Sequence, residues 1–81
     1  MGLTTGTLKN GSGQLLPNTL INFYYADGGD AAGSDETDSS GKYSINLAGP
    51  DQYRAKVGTV TCTPNPMDVP AGTATINLVK P

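Results

Sequence analysis

The sequence predicts an all-β domain, an antiparallel sandwich of short strands, and three observations carry that expectation. Apolar and polar residues alternate at period two in separate segments around positions 19–25, 42–47, 53–57 and 73–79. Turn-forming clusters separate the strand-like segments at intervals of roughly ten residues. Gly and Pro number 11 and 6 among 81 residues, and only 36% are hydrophobic, a mixture that favours tight turns over helices. The length suits one domain spanning 1–81, with a thin core that buries roughly 60% of the unfolded surface. Abundant Gly, Ser and Pro with little charge also fit a disordered chain, but regular alternation argues for strands.

The elements follow in order. Residues 4–9 read as a first strand, ended by the strong turn signal Asn10-Gly11-Ser12-Gly13. Pro17-Asn18 opens a second strand over 19–25, where Ile21, Phe23 and Tyr25 share one face opposite Leu20, Asn22 and Tyr24. Residues 27–34 read as a Gly-rich acidic loop, 35–38 as a short extended piece, and Ser39-Ser40-Gly41 as a turn. In 42–47, Tyr43, Ile45 and Leu47 point inward, and Gly49-Pro50-Asp51 turns the chain again. In 53–57 the alternation leaves Arg54 and Lys56 on the wet face. Pro64 and Pro66 mark 60–67 as an edge or a loop. The last strand, 73–79, sends Ala74, Ile76 and Leu78 inward. The expected core is Ile21, Phe23, Tyr43, Ile45, Tyr53, Val57, Ile76 and Leu78.

Several segments resemble a known family. Gly6-Thr7-Leu8 followed by Leu16-Pro17-Asn18-Thr19-Leu20-Ile21-Asn22-Phe23 is similar to the opening of prealbumin-like (transthyretin-like) domains, also called carboxypeptidase regulatory-like domains. Thr37-Asp38-Ser39-Ser40-Gly41-Lys42-Tyr43-Ser44-Ile45 resembles the family's Thr-Asp-x-x-Gly-x-Tyr-x-aliphatic segment. The run from Leu47 through Gly49-Pro50 to Tyr53 and Ala55 resembles its following turn and strand. The resemblance covers nearly the whole chain and implies a Greek-key sandwich of about seven strands. It implies little about function. The residues of the segment have a structural reading of their own. Asp38 is placed to accept backbone N–H bonds across the turn, Gly41 to take positive φ, and Tyr43 to bury its ring.

Composition excludes most chemistry. With no His, no Trp and a single Cys, a His-based general base, a Cys-His nucleophile and a zinc site cannot be assembled. The hydrolase and transport relatives of transthyretin rely on His, and intradiol dioxygenases need Tyr and His iron ligands. Collagen-binding adhesin relatives form a Lys–Asn isopeptide; Lys9 and Asn77 are suggestive, but residues 53–57 offer no catalytic acid. We therefore expect no enzyme activity, no catalytic residue, no cofactor and no metal. Five of the seven acids, Asp27, Asp30, Asp35, Glu36 and Asp38, cluster without a calcium-loop spacing and read as a solvated acidic segment. Of the four tyrosines only Tyr24 is outward, too few for a sugar-stacking platform. Cys62 reads as a small packed hydrophobe. Five basic residues argue against nucleic acid as a partner, and no apolar run is long enough to span a membrane.

These readings converge on a non-enzymatic structural module that presents a surface to other protein subunits. The expected form is a phage virion protein, a capsid decoration or head–tail surface protein, assembled in the host cytoplasm. A start at Met1 without a basic and apolar leader motivates it, together with analogy to small β-sandwiches in phage particles. The alternatives are an accessory, stalk or adhesion domain of a secreted or cell-surface bacterial protein, or a carbohydrate-binding module. Leu3, Met67, Val69 and Tyr24 are the interface candidates. The two ends and the stretch from Pro64 to Pro70 are expected to lie against a neighbour.

Overall fold

The computed structural model describes residues 2–81 and is an all-β sandwich of two sheets. Nine strands follow in order: β1 (Gly2–Asn10), β2 (Leu20–Tyr25), β3 (Ala31–Glu36), β4 (Lys42–Leu47), β5 (Asp51–Val57), β6 (Val60–Thr61), β7 (Met67–Val69), β8 (Ala74–Thr75) and β9 (Leu78–Lys80). The first sheet centres on β1, with β4 on one side and β8 and β9 on the other. The second runs β3-β2-β5-β6, and β7 also pairs with β5. Two positions are each filled by a broken pair, β6 with β7 and β8 with β9, so about seven strand positions become nine segments.

The structure departs from the expected elements in three places. Residues 31–36, expected as loop and short extended piece, form β3, an edge strand antiparallel to β2 from Leu20↔Glu36 to Tyr24↔Ala31. Its own sequence, Ala-Ala-Gly-Ser-Asp-Glu, carries no strand signal; β2 supplies the pairing. The closing strand is not antiparallel to its neighbour: β8 and β9 both run parallel to β1. It is also broken at Ile76 and Asn77, although Thr5↔Thr75 and Leu8↔Leu78 keep the same offset on both sides of the break. There the Asn77 side-chain Oδ1 accepts the Thr7 N–H at 3.2 Å, in place of a backbone carbonyl.

The core lies between the sheets. Ile21, Phe23, Tyr43, Tyr53 and Leu78 are buried as expected, whereas Ile45, Val57 and Ile76 are half-buried and pack against the core's margin. Leu8, Leu47, Ala55, Cys62, Met67 and Val69 complete it. Phe23 of one sheet meets Tyr43 of the other with ring centroids 5.6 Å apart, joining the layers. Tyr25 and Tyr53 stack on neighbouring strands at 5.0 Å.

Burial corrects one expectation about contacts. Met67 and Val69 are 0% and 2% exposed, so their side chains belong to this chain's own core and are closed to a neighbour. The prolines around them hide β7, whose alternation puts both residues on the inward face of β5's neighbour. The backbones of both end strands are paired within the domain, while Leu3 and Val79 on them stay exposed. Gly2–Asn10 is the central strand of its sheet, and Val79 exchanges backbone hydrogen bonds with Thr63 at 2.8 and 2.9 Å.

Candidate functional site

Local hydrogen bonding fixes the turn between β3 and β4. Asp38 Oδ1 accepts the Ser40 N–H at 2.8 Å and the Lys42 N–H at 3.0 Å. Those two bonds, Lys42's the larger, hold the Asp38 carboxyl below its ordinary range. Gly41 takes φ +73°, a left-handed backbone that an L side chain resists, and its carbonyl accepts the Leu8 N–H at 2.8 Å. Tyr43 then enters the core, and its hydroxyl donates to the Ile76 carbonyl at 2.6 Å. Burial pushes its phenol well above the usual range. Asp38, Gly41 and Tyr43 thus clamp β4 onto β1 and onto the break between β8 and β9.

The surface built on this clamp is the outer face of the first sheet. Along β1 the buried residues include Thr4 and Leu8, so Leu3, Thr5, Thr7 and Lys9 point outward. The pairings Thr5↔Ser44, Thr5↔Thr75 and Thr7↔Lys42 set rows across three strands. At one end, Lys9 sits between Leu15 and Val79 in register. Among the described residues, three of the four exposed large apolar side chains, Leu3 (42%), Leu15 (46%) and Val79 (36%), therefore lie on this single face. Between them the face is mostly hydroxyl and amide, with the Lys42 side chain beside Thr7. Asn77 Oδ1 holds the Thr7 hydroxyl at 3.2 Å as well as its N–H.

A shallow groove of about 600 Å³ runs along this face, bordered by Thr5, Thr7, Ser44, Thr75 and Asn77 and rimmed by Asp35, Glu36 and Asp38. Of these carboxylates, Asp35 Oδ2 accepts the Ser44 N–H at 2.8 Å, so two acids are bound to the backbone of β4. Among the described residues no three His, Cys, Asp or Glu side chains form a metal-holding group. Cys62 is buried, and burial pushes its thiol up, away from the reactive thiolate.

Of the interface candidates, Leu3 lies on this face and Tyr24 on the other sheet, half-buried with the Lys56 ammonium 5.5 Å from its ring centre. Sequence reasoning missed Leu15, and it expected the C-terminal end to meet a neighbour without singling out the Val79 side chain. Leu15 precedes β2 in a stretch without alternation, and only its bridge to Lys9 turns it toward the face. Val79 sits on the outward phase of the last strand, a signal present in the sequence. Lys9 and Asn77 are not brought together as a covalent pair: Asn77 engages Thr7, and Lys9 is exposed in the Leu15–Val79 row. No family model matches the chain, and no curated protein matches it.

Proposed function

We propose that the chain is a non-catalytic structural module that binds another protein subunit through the outer face of the first sheet. The observation that supports this reading is the composition of that face. Exposed Leu3, Leu15 and Val79 stand at its two ends, and a field of Thr, Ser and Asn lies between them, with Lys42 beside Thr7 and the carboxylates of Asp35, Glu36 and Asp38 at its rim. Exposed aliphatic side chains gathered on one sheet face give a partner apolar area to cover, and the hydroxyl and amide groups between them give it a hydrogen-bonding pattern to match. The reactive inventory agrees, since the one thiol is buried and no imidazole exists.

The particular form of this reading is a phage virion surface protein, with capsid or tail subunits, or copies of itself, as the partners. Co-sedimentation with assembled shells tests it. The chain should bind saturably, and a Val79→Asp or Thr75→Arg variant that keeps its far-ultraviolet spectrum should lose that binding. A chain that binds no shell and stays monomeric at high concentration would remove the reading. The groove supports a second reading, a carbohydrate-binding module, because hydroxyl and amide groups converge there. Retention on a glycan array, abolished by Thr7→Val with Asn77→Leu, would favour it. An accessory or stalk domain of a longer secreted chain would use the same face against its neighbouring domain.

A further inference from the structure

We propose that the outer face of the second sheet binds an extended acidic protein segment, independently of what the outer face of the first sheet binds. Three observations carry it, and the first is placement. Tyr53 and Ala55 of β5 are buried, so Arg54 and Lys56 between and beyond them point outward. The pairings Tyr24↔Arg54 and Asn22↔Lys56 set them beside the outward residues of β2. Two of the five basic residues therefore stand around Tyr24.

The second observation is orientation. Lys56 Nζ lies over the Tyr24 ring, 5.5 Å from its centre. Arg54 is fixed at two points: Nε donates to Asn65 Oδ1 at 3.1 Å, and Nη1 donates to the Ala26 carbonyl at 3.0 Å. Both side chains are half-buried, so part of the ordering cost of binding is already met. The third is unspent charge. Arg54 is held by neutral oxygens and Lys56 by an aromatic ring, and among the described residues neither is engaged by a carboxylate. The bonds to Arg54 use Nε and Nη1, which leaves both donors of Nη2. The acids on this face lie toward its ends, where Glu36 stands opposite Leu20 and Asp68 Oδ1 accepts the Gln52 side-chain amide at 2.8 Å.

These features select the occupant. Arg54 and Lys56 are alternate residues of one strand, so their backbones are about 7 Å apart, and an extended segment repeats its side chains at the same interval. Carboxylates at alternate positions of such a segment meet both cations together, one on the Arg54 Nη2 donors and the next on the Lys56 ammonium. Exposed Leu20, two residues before Asn22 on the same face of β2, offers apolar cover at one end. Single-stranded nucleic acid also spaces its charges regularly, but its binding sites stack bases on open aromatic rings, and here the Lys56 ammonium lies over Tyr24.

The test titrates the whole chain into a fluorescently labelled short peptide of alternating Asp and Ser, read by anisotropy at low and at physiological ionic strength. Saturable binding is expected at low salt and should weaken as salt rises. Arg54→Gln should weaken it roughly tenfold or more, the share of a hydrogen bond to a charged group. Arg54 also ties Asn65 to Ala26, so Lys56→Glu serves as the second variant; it should abolish binding with the far-ultraviolet spectrum intact. Lys80→Gln removes one positive charge from the other sheet and should leave binding unchanged. No saturable binding by the parent, binding retained in Lys56→Glu, an equal loss in Lys80→Gln, or tighter binding of a thymidine oligonucleotide than of the peptide would each overturn the proposal.

Discussion

Two buried threonines make the same substitution act with opposite signs. Thr4 is 0% exposed on the inner face of β1, and its Oγ1 is the one buried side-chain polar atom without a partner among the described residues. Thr37 is 2% exposed just after β3, and its Oγ1 donates to the Leu16 carbonyl at 2.7 Å and accepts the Thr19 N–H at 2.9 Å. Valine matches threonine in shape and is equally suited to a strand. Replacing Thr4 by Val removes a hydroxyl whose burial is uncompensated, a penalty of about 1–3 kcal/mol. Stability should rise by about 1 kcal/mol or more, which in a domain of this size moves the melting midpoint up by roughly 4–8 °C per kcal/mol. Thr37→Val deletes two bonds and strands a carbonyl and an N–H, so it should cost about 1–3 kcal/mol. Urea unfolding of the two variants beside the parent reads both effects, with unchanged m-values as the check that only stability has moved. If Thr4→Val destabilises the chain, its hydroxyl has a partner in solution; if Thr37→Val changes nothing, the two bonds of Thr37 hold nothing together. Either result refutes the reasoning.

Three further outcomes are expected. Phe23→Ala should cost about 3–5 kcal/mol by opening a cavity against Tyr43, and loss of a cooperative unfolding transition near room temperature would register the upper end. Asp38 has its carboxyl lowered by the Lys42 and Ser40 N–H bonds, so its contribution is present above the ordinary value of 3.8 and is lost as pH falls through the folded value. Unfolding midpoints taken across acid pH should therefore fall less steeply for Asp38→Asn than for the parent. Burial raises the Tyr43 and Tyr53 phenols, so stability on the alkaline side is present below their ordinary value of 10.0 and declines as pH rises through the folded values. Ultraviolet titration should show these two phenols ionising above the range of a free tyrosine, and normal titration of all four would contradict the packing.

The fold is legible where a strand's own residues decide its state. Period-two alternation places β2, β4 and β5, and its phase correctly buries Ile21, Phe23, Tyr43 and Tyr53. It fails where the partner decides. Residues 31–36 become a strand because β2 presents a free edge to them, a fact absent from their local composition. The half-burial of Ile45, Val57 and Ile76 is also tertiary: each has the inward phase but stands at the margin of the sandwich. Met67 and Val69 are masked by flanking prolines, which suit an edge strand as well as a loop. The Asp38-Ser39-Ser40-Gly41 turn is readable, because the bonds that close it, from the Ser40 and Lys42 N–H groups to Asp38 Oδ1 and from the Gly41 N–H to the Asp38 carbonyl, are local in sequence. The outer face is only half readable. Val79 sits on the outward phase of its strand, but β1 carries no apolar–polar alternation to orient Leu3, Thr5 and Thr7, and Leu15 reaches the face from a segment with no strand signal.

How the sheet edges are finished bears on how such a module meets a partner. An open strand edge invites another strand, and proteins block it with charge, short strands or covering segments. On β4, the Lys42 and Ser44 N–H groups that point away from β1 are taken by the carboxylates of Asp38 and Asp35. On β9, Thr63 exchanges both backbone bonds with Val79. On the remaining flank, β8 is only two residues long, too short to template a neighbouring strand. The acidic run that composition singles out thus has a structural assignment in two of its members, which seal an edge. With the edges of the first sheet closed in this way, backbone pairing is a poor route to association. For the partner proposed above, side-chain contact across the outer face is the route that the closed edges leave on this sheet, and that face is where Leu3, Leu15 and Val79 are exposed. An interface of that kind is specified by shape and by the Thr, Ser and Asn hydrogen-bonding pattern. Single substitutions at its apolar ends should accordingly alter affinity without disturbing the fold beneath.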